Sequence, residues 1–308
     1  METLQVFLRT TVYITSMLAI GYSLKAYGLL ERNGNSLFKY VMYVAMPALA
    51  VESLSGVEAE PGLLMTSLIY FFSMSILSFS IILFGWFIGY ERSRTYLLAL
   101  AANFSNTGFF GIPFMIVVFG EASIRLSILL WMITFIYSTF LCIPLLESLR
   151  ESSRNFRKLV ERTLKNPLII SVTLGMTLSL LKLSPPEEVS YILKSLGATA
   201  SPLALISIGA SISSFKAVSL RNQGLLLFLK AFLSPAISLL LGLIAKLNYI
   251  ELCSLVLMSA MPAAVFLGVF SNEYDFHREE IFPFITISSL TAPFYLNIWL
   301  YFLNSFLA

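Results

Sequence analysis

Apolar residues run along this chain in blocks about as long as a bilayer is thick, separated by short polar stretches. About twenty such residues cross the hydrocarbon core as a helix. On that measure the chain predicts ten spans, at 4–24, 37–55, 63–89, 95–119, 123–147, 167–183, 188–213, 223–245, 250–271 and 279–306. The seventh has the weakest pattern, because Ser, Gly and Ala crowd around Ser201 and Pro202. A membrane barrel would show alternating segments of about ten residues, and the sequence shows none. The expected fold class is an all-α polytopic membrane protein.

Charge then orders the spans. The odd-numbered loops carry fourteen of the twenty Lys and Arg residues, six of them between Arg150 and Lys165. Five lie on the other side, and Lys230 falls inside span 8. Basic short loops stay cytoplasmic, so the sequence predicts a multi-pass cell-membrane protein with both termini outside. Five spans precede the basic linker at 149–166 and five follow it, dividing the chain into units 1–148 and 167–308. An odd number per half turns the halves opposite ways, which predicts two inverted five-helix repeats.

Composition narrows the class further. The chain is 57% hydrophobic and 12% charged, with a mean hydropathy of +0.84. A soluble domain carries about a quarter charged residues, so none is expected here. A net charge of +3 is spread through loops, which argues against a nucleic-acid partner. Cys142 and Cys253 lack metal or redox spacing and read as packing residues; no metal or cofactor is expected. Glu2 and Arg9 stand where a signal peptide would be basic, so the first apolar segment reads as a retained helix.

One stretch breaks the greasy pattern. Residues 103–113 read Asn-Phe-Ser-Asn-Thr-Gly-Phe-Phe-Gly-Ile-Pro in mid-span. Gly108 and Gly111 lower helix propensity, and Pro113 removes a donor and clashes with the preceding turn. A break at that depth persists only where the freed groups face a water-filled cavity or a ligand. Asn103, Asn106 and Thr107 share a face at helical spacing, and amides suit a carboxylate or a dehydrated ion. The alternative is that they stitch span 4 to its neighbours. A half-helix N-terminus beside Gly108, Gly111 and Pro113 would meet an anion with bare N–H groups. Pro47 in span 2 precedes Pro113 by 66 residues, and Pro202 in span 7 precedes Pro262 in span 9 by 60. Interruptions at matching places in two halves point to a transporter site, so Met261, Pro262 and Ala263 join the candidates.

Titratable residues add little. Lys230 lies near the cytoplasmic end of its span and is expected to snorkel to the interface, although an intramembrane charge is also a functional candidate. Glu52, just past Pro47, is the best candidate for a proton relay. The lone histidine, His277, reads as a solvated loop residue.

Four motifs carry a resemblance: Tyr43-Val-Ala-Met-Pro-Ala-Leu49, Asn106-Thr-Gly-Phe-Phe-Gly-Ile-Pro113, Ser201-Pro-Leu-Ala-Leu-Ile-Ser-Ile-Gly-Ala210 and Met258-Ser-Ala-Met-Pro-Ala-Ala264. With the ten-span layout they resemble the auxin efflux carrier family, which includes plant exporters and prokaryotic permeases for malate or malonate. The short central loop is similar to the prokaryotic members. The resemblance implies broken fourth and ninth spans that cross. It also implies a scaffold of spans 1, 2, 6 and 7, a transport domain of spans 3–5 and 8–10, and elevator-like movement of a small organic anion. Besides that anion and the lipid bilayer, a homodimer is the partner expected. A sodium-coupled carrier of the bile-acid type, or a channel or sensor on the same fold, stays as an alternative. An intramembrane enzyme needs paired acids, a nucleophile with its base, or metal ligands at depth, and the sole aspartate, Asp275, lies in a loop.

Overall fold

A computed structural model describes residues 2–30, 35–55, 61–149, 165, 167–211 and 220–307. The basic linker at 150–164, Arg32 and Lys216 lie outside the described residues, as do the side chains of Arg9 and Cys142. The described chain is helical: α1 Glu2–Ala26, α2 Asn35–Tyr40, α3 Met46–Leu54, α4 Pro61–Phe87, α5 Arg92–Asn103, α6 Ile112–Phe119, α7 Ile124–Glu147, α8 Pro167–Leu180, α9 Glu187–Ala198, α10 Ala200–Ser211, α11 Leu220–Phe228, α12 Ser234–Ile244, α13 Tyr249–Ala260, α14 Val265–Tyr274 and α15 Arg278–Leu307. Among the described residues, five helical stretches are long and apolar enough to cross a membrane: Gly62–Phe87, Thr107–Ser138, Glu187–Ser207, Asn222–Ile244 and Arg278–Phe306. Shorter apolar helices accompany them at Val41–Glu52, Ile170–Leu180 and Tyr249–Ala260.

Local chemistry explains where these helices begin and bend. α13 starts in a capping box, with Asn248 Oδ1 accepting from the Glu251 N–H and Glu251 Oε2 accepting from the Asn248 N–H, both at 3.0 Å. Three π turns, Val41–Ala45, Thr107–Gly111 and Leu229–Leu233, each end two residues before a proline: Pro47, Pro113 and Pro235. A proline cannot donate to the carbonyl four residues back and its ring crowds that carbonyl. The ladder therefore slips to i→i−5, as in Ser234 N–H to Leu229 O. Ala231 O, the carbonyl that Pro235 cannot serve, accepts instead from Trp299 Nε1 at 2.7 Å.

The interruptions expected at Pro47 and Pro202 are slight: a π turn precedes the first, and the single turn residue Thr199, between α9 and α10, precedes the second. Pro47 follows its π turn without a non-helical residue, and α3 runs straight on. Pro202 falls in the first turn of α10, where a missing N–H goes unneeded. Both prolines are partly buried within helical segments.

Packing sorts the helices into two groups. α1 lies along α10, and α3 packs on α8 and α9. Gly21 and Gly209 set the first of these contacts. A Cβ on Gly21 would overlap Ile206 O, and one on Gly209 would overlap Leu18 O. Only glycine lets those backbones approach so closely. In the second group α4 packs on α5, α7, α12 and α13, and α15 on α11, α13 and α14. One end of this group is tied by polar contacts. Arg94 Nη1 donates to both carboxylate oxygens of Glu280, at 2.7 and 2.5 Å, Gln223 Nε2 donates to Glu280 O, and His277 joins Ser93 at 2.9 Å. His277 is thus a partly buried member of a clamp, not the solvated loop residue expected.

Candidate functional site

The second group carries the site, where two helices end against each other. α5 stops at Asn103, the chain leaves the helix through Phe104, Ser105 and Asn106, with the Ser105 N–H donating to Asn103 O at 2.8 Å, and a π turn opens the next helical segment at Thr107. α13 stops at Ala260 and α14 starts at Val265, leaving Met261–Ala264 non-helical. The two short non-helical segments pair antiparallel in an isolated bridge, Ser105 to Ala263. The Asn106 N–H donates to Pro262 O at 2.7 Å, and the Ala264 N–H donates to Phe104 O at 2.8 Å. The Ala263 N–H donates to Ser288 Oγ of α15 at 3.0 Å. Backbone groups released by the helix ends therefore satisfy one another, as burial requires.

A charged side chain and a cavity meet at the crossing, and Ser105 belongs to both. Where α5 and α13 end, Lys230 reaches in from the Leu229–Leu233 π turn. Its Nζ donates to Ala102 O at 3.0 Å, to Ser259 O at 2.9 Å, and to Ser105 Oγ. The residue is 0% exposed, so the expected snorkelling is overturned. Three acceptors at the crossing hold the ammonium more effectively than a long detour to the interface would.

Beside the crossing lies a cavity of about 40 Å³ lined by residues that include Phe104, Ser105, Asn106, Thr107 and Gly108 of the first segment and Ala264 and Phe266 of the second. Trp131, Thr134 and Phe135 of α7 and Met42 of the other helix group close it. That volume holds a few waters. Asn106 Nδ2 and Thr107 Oγ1 are buried there without hydrogen-bond partners. The N–H groups of Thr107 and Gly108 open a helix, so no carbonyl in the preceding turn receives them. A Cβ on Gly108 would strike the Trp131 indole, with Cε2 only 2.7 Å away. Gly108 thus allows the ring to close against the backbone.

The sequence-derived candidates divide accordingly. Asn106, Thr107 and Gly108 line the cavity. Asn103 does not: its Nδ2 donates to Ser78 Oγ at 2.8 Å and Ala99 O at 3.3 Å, stitching α5 to α4. The helical face expected for Asn103, Asn106 and Thr107 dissolves because the helix ends at Asn103. Met261, Pro262 and Ala263 build the crossing, and Gly111 gives room to Met258 Sδ and Met261 Cγ, 2.9 and 3.2 Å from a Cβ placed there. Pro113 sits in the first turn of α6, behind the cavity. Glu52 pairs with Lys194 at 3.6 Å, and neither it, Pro47 nor Pro202 lines the cavity. The motifs passed over Ser105, Trp131, Thr134 and Phe135. Ser105 lay inside the glycine-proline run, whereas the α7 residues carry no local signal. Among the described residues no three His, Cys, Asp or Glu side chains gather to hold a metal.

Comparison with known proteins agrees with the membrane architecture. An uncharacterized transporter of Methanothermobacter thermautotrophicus is 26% identical over 302 residues, covering 96% of this chain and 98% of that protein. Another, from Methanocaldococcus jannaschii, is 24% identical over 302 residues, covering 92% and 94%. Both relatives are transporters by description, not enzymes. Residues 6–300 match the family described as membrane transport protein, and the chain therefore belongs to that family, the one that contains the auxin efflux carriers.

Proposed function

We propose that the chain is a secondary transporter that moves a small organic anion by alternating access. The observation that carries this reading is the cavity between two helix discontinuities, which holds buried donors without partners and a helix N-terminus. Asn106 Nδ2 and Thr107 Oγ1, with the N–H groups of Thr107 and Gly108, form a donor set for a carboxylate. Among the described residues that line the cavity none is cationic, with the nearest ammonium engaged by Ser105 of that lining; neutral dipoles would contact the anion, and bind it weakly enough to release it.

Ten spans in two inverted repeats fit the two discontinuities, one in each half, and the two helix groups described above. Spans 1, 2, 6 and 7 would form the scaffold, and spans 3–5 and 8–10 the moving part. Met42 is the scaffold's contribution to the cavity lining, so movement of one group past the other would open the cavity to a membrane face. Uptake of radiolabelled small carboxylates into proteoliposomes tests the proposal. Saturable uptake accelerated by unlabelled carboxylate on the far side is expected for a carrier. Linear, non-saturable flux would replace it with a channel, and no flux of any carboxylate would remove the anion reading.

A further inference from the structure

Lys230 poses a problem in charge balance. It is buried beyond the reach of water, and among the described residues no carboxylate pairs with it. An ammonium in that state is costly unless something compensates for the lost hydration. The main chain provides that compensation. A helix C-terminus carries roughly half an elementary negative charge. α5 and α13 both end at the ammonium, so together they present about one. Ala102 O, Ser259 O and Ser105 Oγ surround the nitrogen, and Ser234 Oγ lies 3.3 Å from Ser259 O. Carbonyls at half-helix C-termini with a hydroxyl beside them are the ligand set that free monovalent cations use in transporters.

We infer that Lys230 is a tethered cation, occupying from within the chain a monovalent-cation seat formed by the two helix C-termini at the crossing. The ammonium neutralises both ends and holds α5 to α13. The π turn before Pro235 gives the lysine its register. No ion from solution is then needed to assemble the crossing. The transport consequence rests on the carrier reading above; the seat itself does not.

The test uses the purified full-length protein in detergent, melted in chloride salts of sodium, lithium, methylammonium or N-methylglucamine at equal ionic strength. Wild type should melt at the same temperature in all four. Lys230→Ala should melt lower by more than about 5 °C in N-methylglucamine and recover saturably with sodium, lithium or methylammonium. Lys230→Met, which fills the space without the charge, should stay low in every salt, whereas Lys230→Arg should recover part of the loss. A Lys230→Met protein as stable as wild type would overturn the inference, as would a Lys230→Ala protein indifferent to small cations. If Lys230→Ala does not fold, the Met and Arg variants still decide. They support the seat if only Arg retains stability and sink it if Met does too. Absence of carboxylate flux in wild type would refute the carrier reading while leaving these melting results intact.

Discussion

At the scale of single residues, neighbouring amides do different work. Asn103 spends both its donors on Ser78 Oγ and Ala99 O, whereas Asn106 Nδ2 lacks a partner beside the cavity. A hydrogen bond to a charged group is worth about 1.5–3 kcal/mol. Asn106→Ala should therefore raise the KM for anion uptake roughly tenfold to a hundredfold and leave the melting temperature nearly unchanged. Asn103→Ala should show the reverse, a stability loss of about 1–2 kcal/mol with KM within twofold. A comparable KM rise in both variants would count against this division. The sequence could not make the distinction, because helical spacing was carried three residues past the point where the helix ends. It marked only the neighbourhood: Gly108, Gly111 and Pro113 lie in the helical segment after the break, and the helix ends earlier, at Asn103.

At the scale of elements, prolines act through the turn before them, and the outcome depends on what is packed there. Pro262 lies in the non-helical gap between α13 and α14, whereas Pro113, like Pro47, follows a π turn inside a continuing helical segment, the preceding helix having already ended at Asn103. Proline spacing alone could not separate these cases. What separates them is the pairing of Ser105 with Ala263, a contact between residues more than 150 positions apart. Lys230 shows the same limit. Its depth in the sequence suggested an escape to the interface, but the π turn directs it inward. Pro235→Ala would return an N–H to Ala231 O, in competition with Trp299. Removing the π turn shifts the lysine by about one residue, roughly 100° around the helix. The expected result is a melting loss comparable with that of Lys230→Met, and wild-type stability in Pro235→Ala would refute the link between turn and lysine.

At the scale of the whole molecule, the two helix groups have different kinds of contact. α1 and α10 meet backbone to backbone through Gly21 and Gly209, a close fit suited to a rigid frame. Gly21→Ala or Gly209→Ala should each cost about 1–3 kcal/mol by overpacking. Both changes push the same helices apart, so the double variant should cost less than the sum of the two. Thermal melts of the three proteins would show additive losses if the glycines acted separately. Uptake KM should not change in the folded fraction, because neither glycine lines the cavity. The crossing itself is fastened chiefly by peptide groups, through the reciprocal bonds of Asn106 with Pro262 and of Ala264 with Phe104. A fastening of that kind survives a change of side chain at any of those four positions, provided the replacement keeps the same backbone path. Relatives could therefore redecorate the cavity wall for new cargo while the hinge-pin beneath it stays in place.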